Sequence, residues 1–214
     1  MQTYFLDNNS DKLILFFTGW GCDENQFTNL TTKYDLLLLY DYQNPDLEFD
    51  FSKYSEINVL AYSAGVFISS IMCKNIPNIK QKIAISGNPY LFDEKLGLTK
   101  NLVREFKEIN LDNYLDFRRK YMVETDEEYE KYNKLQSLRS LESCMNELDV
   151  LENLYEKEKK NIIFNFDKAI IGKNDKIFKL DEQMKFYKNK IKLIPNARHH
   201  IFFKFKTYEE ILEF

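Results

Sequence analysis

Glycine and proline are scarce, at 6 and 4 residues among 214, and no segment is rich in either, which excludes a collagen-like chain and a disordered linker. Cysteine occurs three times, at Cys22, Cys73 and Cys144. An odd number so widely spaced fits neither a disulfide framework nor paired zinc-ligand spacing, so free thiols are expected. Histidine is scarcer still, with two adjacent residues, and tryptophan occurs once. No apolar run approaches the roughly 18–20 residues that a membrane-spanning helix needs. The start, Met1-Gln2-Thr3-Tyr4-Phe5, carries no basic flank and apolar stretch of a leader. A soluble, cytoplasmic protein with no membrane partner is therefore expected. Neither sign of charge dominates: 34 Asp and Glu stand interspersed with 30 Lys and Arg, for a net charge of -4. That balance argues against nucleic acid as a partner.

What is present is enough apolar material, 44% of residues, for one sizeable domain over 1–214. Short apolar runs closed by loop signals read as strands buried on both faces: Lys12–Phe17, Leu36–Tyr40, Ile57–Tyr62, Lys82–Gly87, Asn161–Phe166, Ala169–Gly172 and Ile191–Pro195. Helical spacing separates several of them, as in Ala64–Asn75 and Asp181–Lys190. Strands alternating with helices imply an α/β fold, a mostly parallel sheet with helices on both faces. The stretch 91–160 breaks the alternation. It is Glu/Lys-rich and free of proline, with apolar residues at helix-like intervals, and reads as helices inserted between two strands. Such an insertion is either a lid over a site at the carboxyl ends of the strands or extra helical packing.

Ala61-Tyr62-Ser63-Ala64-Gly65 lies between a strand run and a helix run. That is the context of a nucleophile elbow, where small neighbours let a serine hydroxyl stand above the sheet. The competing reading is a serine N-cap. An acid and a histidine follow in the order that hydrolases of this architecture use. Asp175 sits in the loop after Ala169–Gly172, with Asp167 a weaker competitor before that run, and an ordinary solvated loop carboxylate the alternative. The only histidines, His199 and His200, lie after the Ile191–Pro195 run, which suits one in the site and one beside it. Oxyanion donors would be the backbone N–H groups of Ala64 and of Trp20, the latter flanked by Gly19 and Gly21. Trp20 itself suits a pocket wall, against the alternative of capping the core. Cys22 is a rival nucleophile without a visible histidine partner.

Taken with Leu38–Gln43 and Asp46–Asp50, these segments, including Arg198-His199-His200-Ile201-Phe202, resemble the pimeloyl-acyl-carrier-protein methyl ester esterases of biotin synthesis, of the short BioG type. The resemblance spans nearly the whole chain and is loosest over 91–160. It departs from the family at Ala61, where Gly is frequent, and at Arg198, where a small or acidic residue precedes the histidine. It implies an α/β-hydrolase fold with a helical lid, and Ser63, Asp175 and His199 as catalytic residues, with His200 at a position often aromatic. It further implies a serine carboxylesterase that needs no metal or other cofactor and hydrolyses the methyl ester of a pimeloyl chain on acyl carrier protein, its partner. Because that carrier is acidic, Arg118 and Arg119, with Lys120, Arg104 and Lys107, are candidates to dock it, though a short basic run is more often a solvated helix face. Tyr62, Tyr90, Phe92, Tyr114, Phe117 and Tyr121 are candidates to line an acyl channel, against the alternative of helix packing. A general short-chain carboxylesterase or thioesterase, and a non-catalytic binding module with a displaced acid or buried serine, are the rival readings.

Overall fold

The computed structural model describes residues 1–162 and 165–214. A seven-stranded sheet runs through the chain in the order β1-β3-β2-β4-β5-β6-β7. The strands are β1 (Gln2–Leu6), β2 (Lys12–Phe17), β3 (Asp35–Tyr40), β4 (Glu56–Tyr62), β5 (Ile79–Ile85), β6 (Lys168–Gly172) and β7 (Ile191–Ile194). Only β1 pairs antiparallel, against β3; every other neighbouring pair is parallel. β2, β3 and β4 are buried along almost their whole length, which is why they read as unbroken apolar runs. Each Leu or Phe so enclosed contributes about 1.5–3 kcal/mol relative to exposure.

One strand was not expected, and one expected strand is not seen among the described residues. β1 went unread because its residues are mostly exposed on the sheet's edge, so it lacks a buried strand's apolar run. Of the expected strand Asn161–Phe166, Ile163 and Phe164 lie outside the described residues and the other four carry no strand. Among the described residues there, β6 is the strand.

α1 (Ala64–Met72) follows β4, and α6 (Leu180–Tyr187) lies between β6 and β7. Between β5 and β6 stand α2 (Lys100–Lys107), α3 (Tyr114–Tyr121), α4 (Asp126–Lys134) and α5 (Leu141–Glu158). Their starts are written locally: Thr99 and Ser140 cap α2 and α5, and Thr125 with Glu128 forms a reciprocal capping box on α4. These helices share one apolar cluster with α1, α6 and one face of the sheet. The opposite face also carries a helix, as expected, but a short one. Cys22, Phe27, Leu30, Ile201, Phe202 and Phe205, from irregular segments and single turns, pack there with the short α7 (Tyr208–Glu213).

The chain passes from β2 to β3 on one side and then to β4 on the other. The carboxyl ends of β2 and β4 therefore flank the point where strand order reverses, the place at which open α/β sheets bind ligands.

Candidate active site

Ser63 follows β4 and precedes α1 with φ +53° and ψ −118°, a conformation that costs a non-glycine residue roughly 1–3 kcal/mol. Its side chain makes no capping hydrogen bond to α1, so the N-cap alternative does not hold. Close approach explains the small neighbours. A Cβ on Gly65 would stand 2.3 Å from Phe17 O, and one on Gly87 2.7 Å from Ser63 O. Ala61 needs no such freedom, because it lies within regular β4, paired with Phe17 and Ala84.

Asp175 ends the turn after β6, its N–H donating to Gly172 O at 3.0 Å. Oδ1 accepts the N–H groups of Ile177 (2.8 Å) and Phe178 (3.2 Å), leaving Oδ2 for His199 Nδ1 at 2.9 Å. His199 Nε2 lies 3.0 Å from Ser63 Oγ. With the carboxylate holding the proton on Nδ1, Nε2 is free to accept from the serine hydroxyl. The imidazole stacks on Phe178 (centroids 6.0 Å) and abuts Tyr62 (5.1 Å), so its plane is fixed by packing as well. Gly172 brings the two loops together, since a Cβ there would meet Arg198 O at 2.1 Å. The acid is neither displaced nor is the serine buried beyond reach.

The competitors stand elsewhere. Asp167 Oδ2 accepts from Lys82 N–H at 2.9 Å, at the amino end of β6. Cys22 is buried, and burial pushes its thiol up, away from thiolate.

The turn after β2 comes against the elbow: a Cβ on Gly19 would lie 3.2 Å from Ser63 Cβ. Trp20 and Ala64 both line the cavity with Ser63, from two different elements. This turn is held by α5. Trp20 Nε1–H donates to Cys144 O (2.6 Å), and Gly21 N–H donates to Glu147 Oε2 (2.9 Å). Glu147 is fully buried; its Oε1 accepts Tyr42 N–H (2.9 Å) and its Oε2 pairs with Arg139 Nη1 (2.7 Å). Burial pushes the Glu147 carboxyl up, opposed by the Arg139 guanidinium and the two amides. Arg139 also binds Asp41 Oδ1 at 2.8 Å.

The histidine loop is tied to α3. His199 and His200 N–H donate to Tyr121 O (3.3 Å) and Met122 O (2.8 Å), and Arg198 hydrogen-bonds the carbonyls of Arg119 and Lys120. Arg198, the departure noted in the sequence, thus anchors the end of a helix.

Ser63 and His199 open into a cavity of about 630 Å³ between the sheet and α2–α5, within the range of small-ligand sites. Leu98, Phe106, Ile109, Phe117 and Leu151 give it an apolar wall. Leu111 lines it while 85% exposed, marking its mouth. Phe92, Tyr114 and Tyr62 also line it, although Tyr62 mostly packs below, edge-on to Phe202. Two expected lining residues are corrected. Tyr90 packs its ring on Phe186. Tyr121 is buried against Phe106 and Phe117, its hydroxyl donating to Glu105. Arg119, a docking candidate, is exposed as such a role needs and pairs with Asp126. Arg118 is corrected in the other direction: at 2% exposure it lies inside the cavity wall, not on a docking surface.

Sequence reasoning missed Glu147, Arg139 and Gln26. Glu147 had a signal, because Cys144, Glu147, Leu151 and Tyr155 share the buried face of α5, and an acid on such a face implies a partner. Among the described residues no group of three or more His, Cys, Asp or Glu is placed to hold a metal ion, and no helix is long and apolar enough to cross a membrane.

Residues 1–211 match the family described as Pimeloyl-ACP methyl esterase BioG. The crystal structure of BioG from Haemophilus influenzae superposes with a TM-score of 0.87 at 26% identity, covering 98% of this chain and 99% of that one. A malonyl-[acyl-carrier protein] O-methyltransferase of Bacteroides fragilis is 34% identical over 174 residues, 78% of this chain but 34% of that protein, so the likeness spans about a third of its length. A lipase-esterase related protein from Clostridium acetobutylicum shares the fold, with a TM-score of 0.64 at 20% identity over 94% of this chain and 92% of that one.

Proposed function

Because the chain belongs to the BioG family of pimeloyl-ACP methyl esterases, a family of carboxylic ester hydrolases, we propose that Ser63, His199 and Asp175 hydrolyse the methyl ester of a pimeloyl chain carried on acyl carrier protein. His199 Nε2 takes the Ser63 proton as Oγ attacks the ester carbonyl. The N–H groups of Trp20 and Ala64 hold the oxyanion. His199 then protonates the departing methoxide, releasing methanol and leaving the acyl chain on Ser63. Water, deprotonated by the same imidazole, cleaves that acyl-enzyme to the free carboxylate and restores the serine. Asp175 keeps the imidazole in the tautomer that both steps need and stabilises its charged form.

The reading rests on one observation above the others: a strained serine at a strand-to-helix turn whose Oγ is 3.0 Å from an imidazole that a buried carboxylate orients. The helices of 91–160 act as the lid, and the carrier protein docks at its mouth near Leu111. The expected basic patch there is largely paired within the lid, Lys107 with Asp149 and Glu152, and Lys120 with Glu105, so docking exchanges existing ion pairs for new ones. The test is growth without biotin of a bacterial strain lacking its own pimeloyl-ester esterase. The wild-type chain is expected to restore growth and Ser63→Ala to fail. Failure of the wild type, with purified protein still cleaving simple methyl esters, would favour a general carboxylesterase.

A further inference from the structure

Arg118 lies on the same face of α3 as Tyr114 and Tyr121, and that face is turned inward. Its guanidinium stacks on the Tyr114 ring at 3.9 Å and stands 5.6 Å from that of Tyr132. Nη1 donates to Asn133 Oδ1 (3.2 Å) and Gln136 Oε1 (2.9 Å). Nη2 is buried and has no hydrogen-bond partner, and no carboxylate pairs with Arg118 among the described residues. A buried guanidinium with two neutral acceptors and an idle donor is costly unless something else supplies an acceptor. The same cavity wall carries Gln26 and Tyr132, so a polar end faces an otherwise apolar space that also contains Ser63.

We infer that Arg118 Nη2 hydrogen-bonds a carbonyl or carboxylate oxygen at the end of the acyl chain remote from the scissile ester, so that the pocket selects monoesters derived from dicarboxylic acids. This rests on the proposed ester hydrolysis at Ser63 and adds the group that reads the other end of the substrate. In a carrier-bound chain the acceptor is the thioester carbonyl; in a free chain it is a carboxylate. Arg118 is here a specificity-determining residue and takes no part in bond making.

The test compares kcat/KM for three seven-carbon methyl esters: monomethyl pimelate with a distal carboxylate, dimethyl pimelate with a distal neutral carbonyl, and methyl heptanoate with neither. Wild type is expected to prefer at least one acceptor-bearing ester over methyl heptanoate by about tenfold to a hundredfold, the effect of a hydrogen bond to a charged group. Which of the two is preferred distinguishes charge pairing from carbonyl recognition. In Arg118→Met the ratio is expected to fall toward one, chiefly through KM, and Arg118→Lys to recover part of it. Because all three esters are read on one enzyme, a loss common to them cancels in the ratio. A wild-type ratio near one, or one that survives in Arg118→Met, overturns the inference. Should Arg118→Met not fold, wild-type inhibition by pimelate and heptanoate decides: equal inhibition overturns it, and tighter binding of pimelate supports it. Failure to turn over any ester, with no fluorophosphonate adduct on Ser63, would instead sink the hydrolase reading.

Discussion

His200 has its ring enclosed by Tyr132, Phe202 and Phe203, with centroids 4.7–5.1 Å away, and its Nε2 is without a partner. Burial, with His199 beside it, pushes its pKa down to about 3. An unfolded histidine titrates near 6.5, so between these values the unfolded chain binds a proton that the folded one refuses. Stability from this residue is complete above about pH 6.5 and is lost as pH falls toward 3, by at most about 1.4 kcal/mol per pH unit. His200→Phe keeps the aromatic packing and is expected to flatten the fall in urea-unfolding free energy between pH 7 and pH 5. Parallel profiles for the two proteins would contradict this. The residues alone put one histidine in the site and one beside it, and the family resemblance picked His199; what separates the two neighbours physically, Asp175 and Ser63 around one and an aromatic cage around the other, is supplied by tertiary packing. Arg118 and Arg119 repeat the lesson: consecutive helical residues point about 100° apart, so a basic run divides between cavity and solvent.

Between elements, the junction that matters most for the chemistry is that of the β2–β3 connection with α5. Glu147 takes the N–H of Gly21 and of Tyr42 while neutralising Arg139, and Trp20 is bonded to the α5 backbone. The turn that offers the Trp20 amide is therefore braced by a helix of the insertion. Glu147→Ala strands the Arg139 charge and is expected to cost about 3–5 kcal/mol of stability. It is also expected to lower kcat by roughly tenfold to a hundredfold, a fraction of what losing an oxyanion donor costs. Thermal unfolding and kcat on a simple methyl ester check both. A stability loss with unchanged kcat would show that the brace is structural only. The same bonds hold the first half of α5 to the turns that follow β2 and β3. Regular elements with a buried periodic face were legible from their residues, as β2, β3, β4 and α1 show. β1 was not, because an exposed edge strand carries no apolar run, and neither was the covering of the second face, because irregular segments pack by shape and not by period.

At the scale of the molecule, three loops from distant parts of the chain meet where strand order reverses. The elbow after β4, the turn after β6 and the loop after β7 place hydroxyl, carboxylate and imidazole in one line of hydrogen bonds beside the turn after β2. Their order along the chain was readable, since the strand-end position of each motif follows from the α/β alternation. The cavity's polar end was not, since α3, α4 and the β2–β3 connection build it together. Purified protein given the methyl ester of pimeloyl-acyl carrier protein, with methanol release followed over time, tests the account most directly. The account predicts steady release by the wild type and a rate about 10³-fold lower or less for a folded Ser63→Ala variant. Methanol released by Ser63→Ala at a rate close to the wild type's would contradict it.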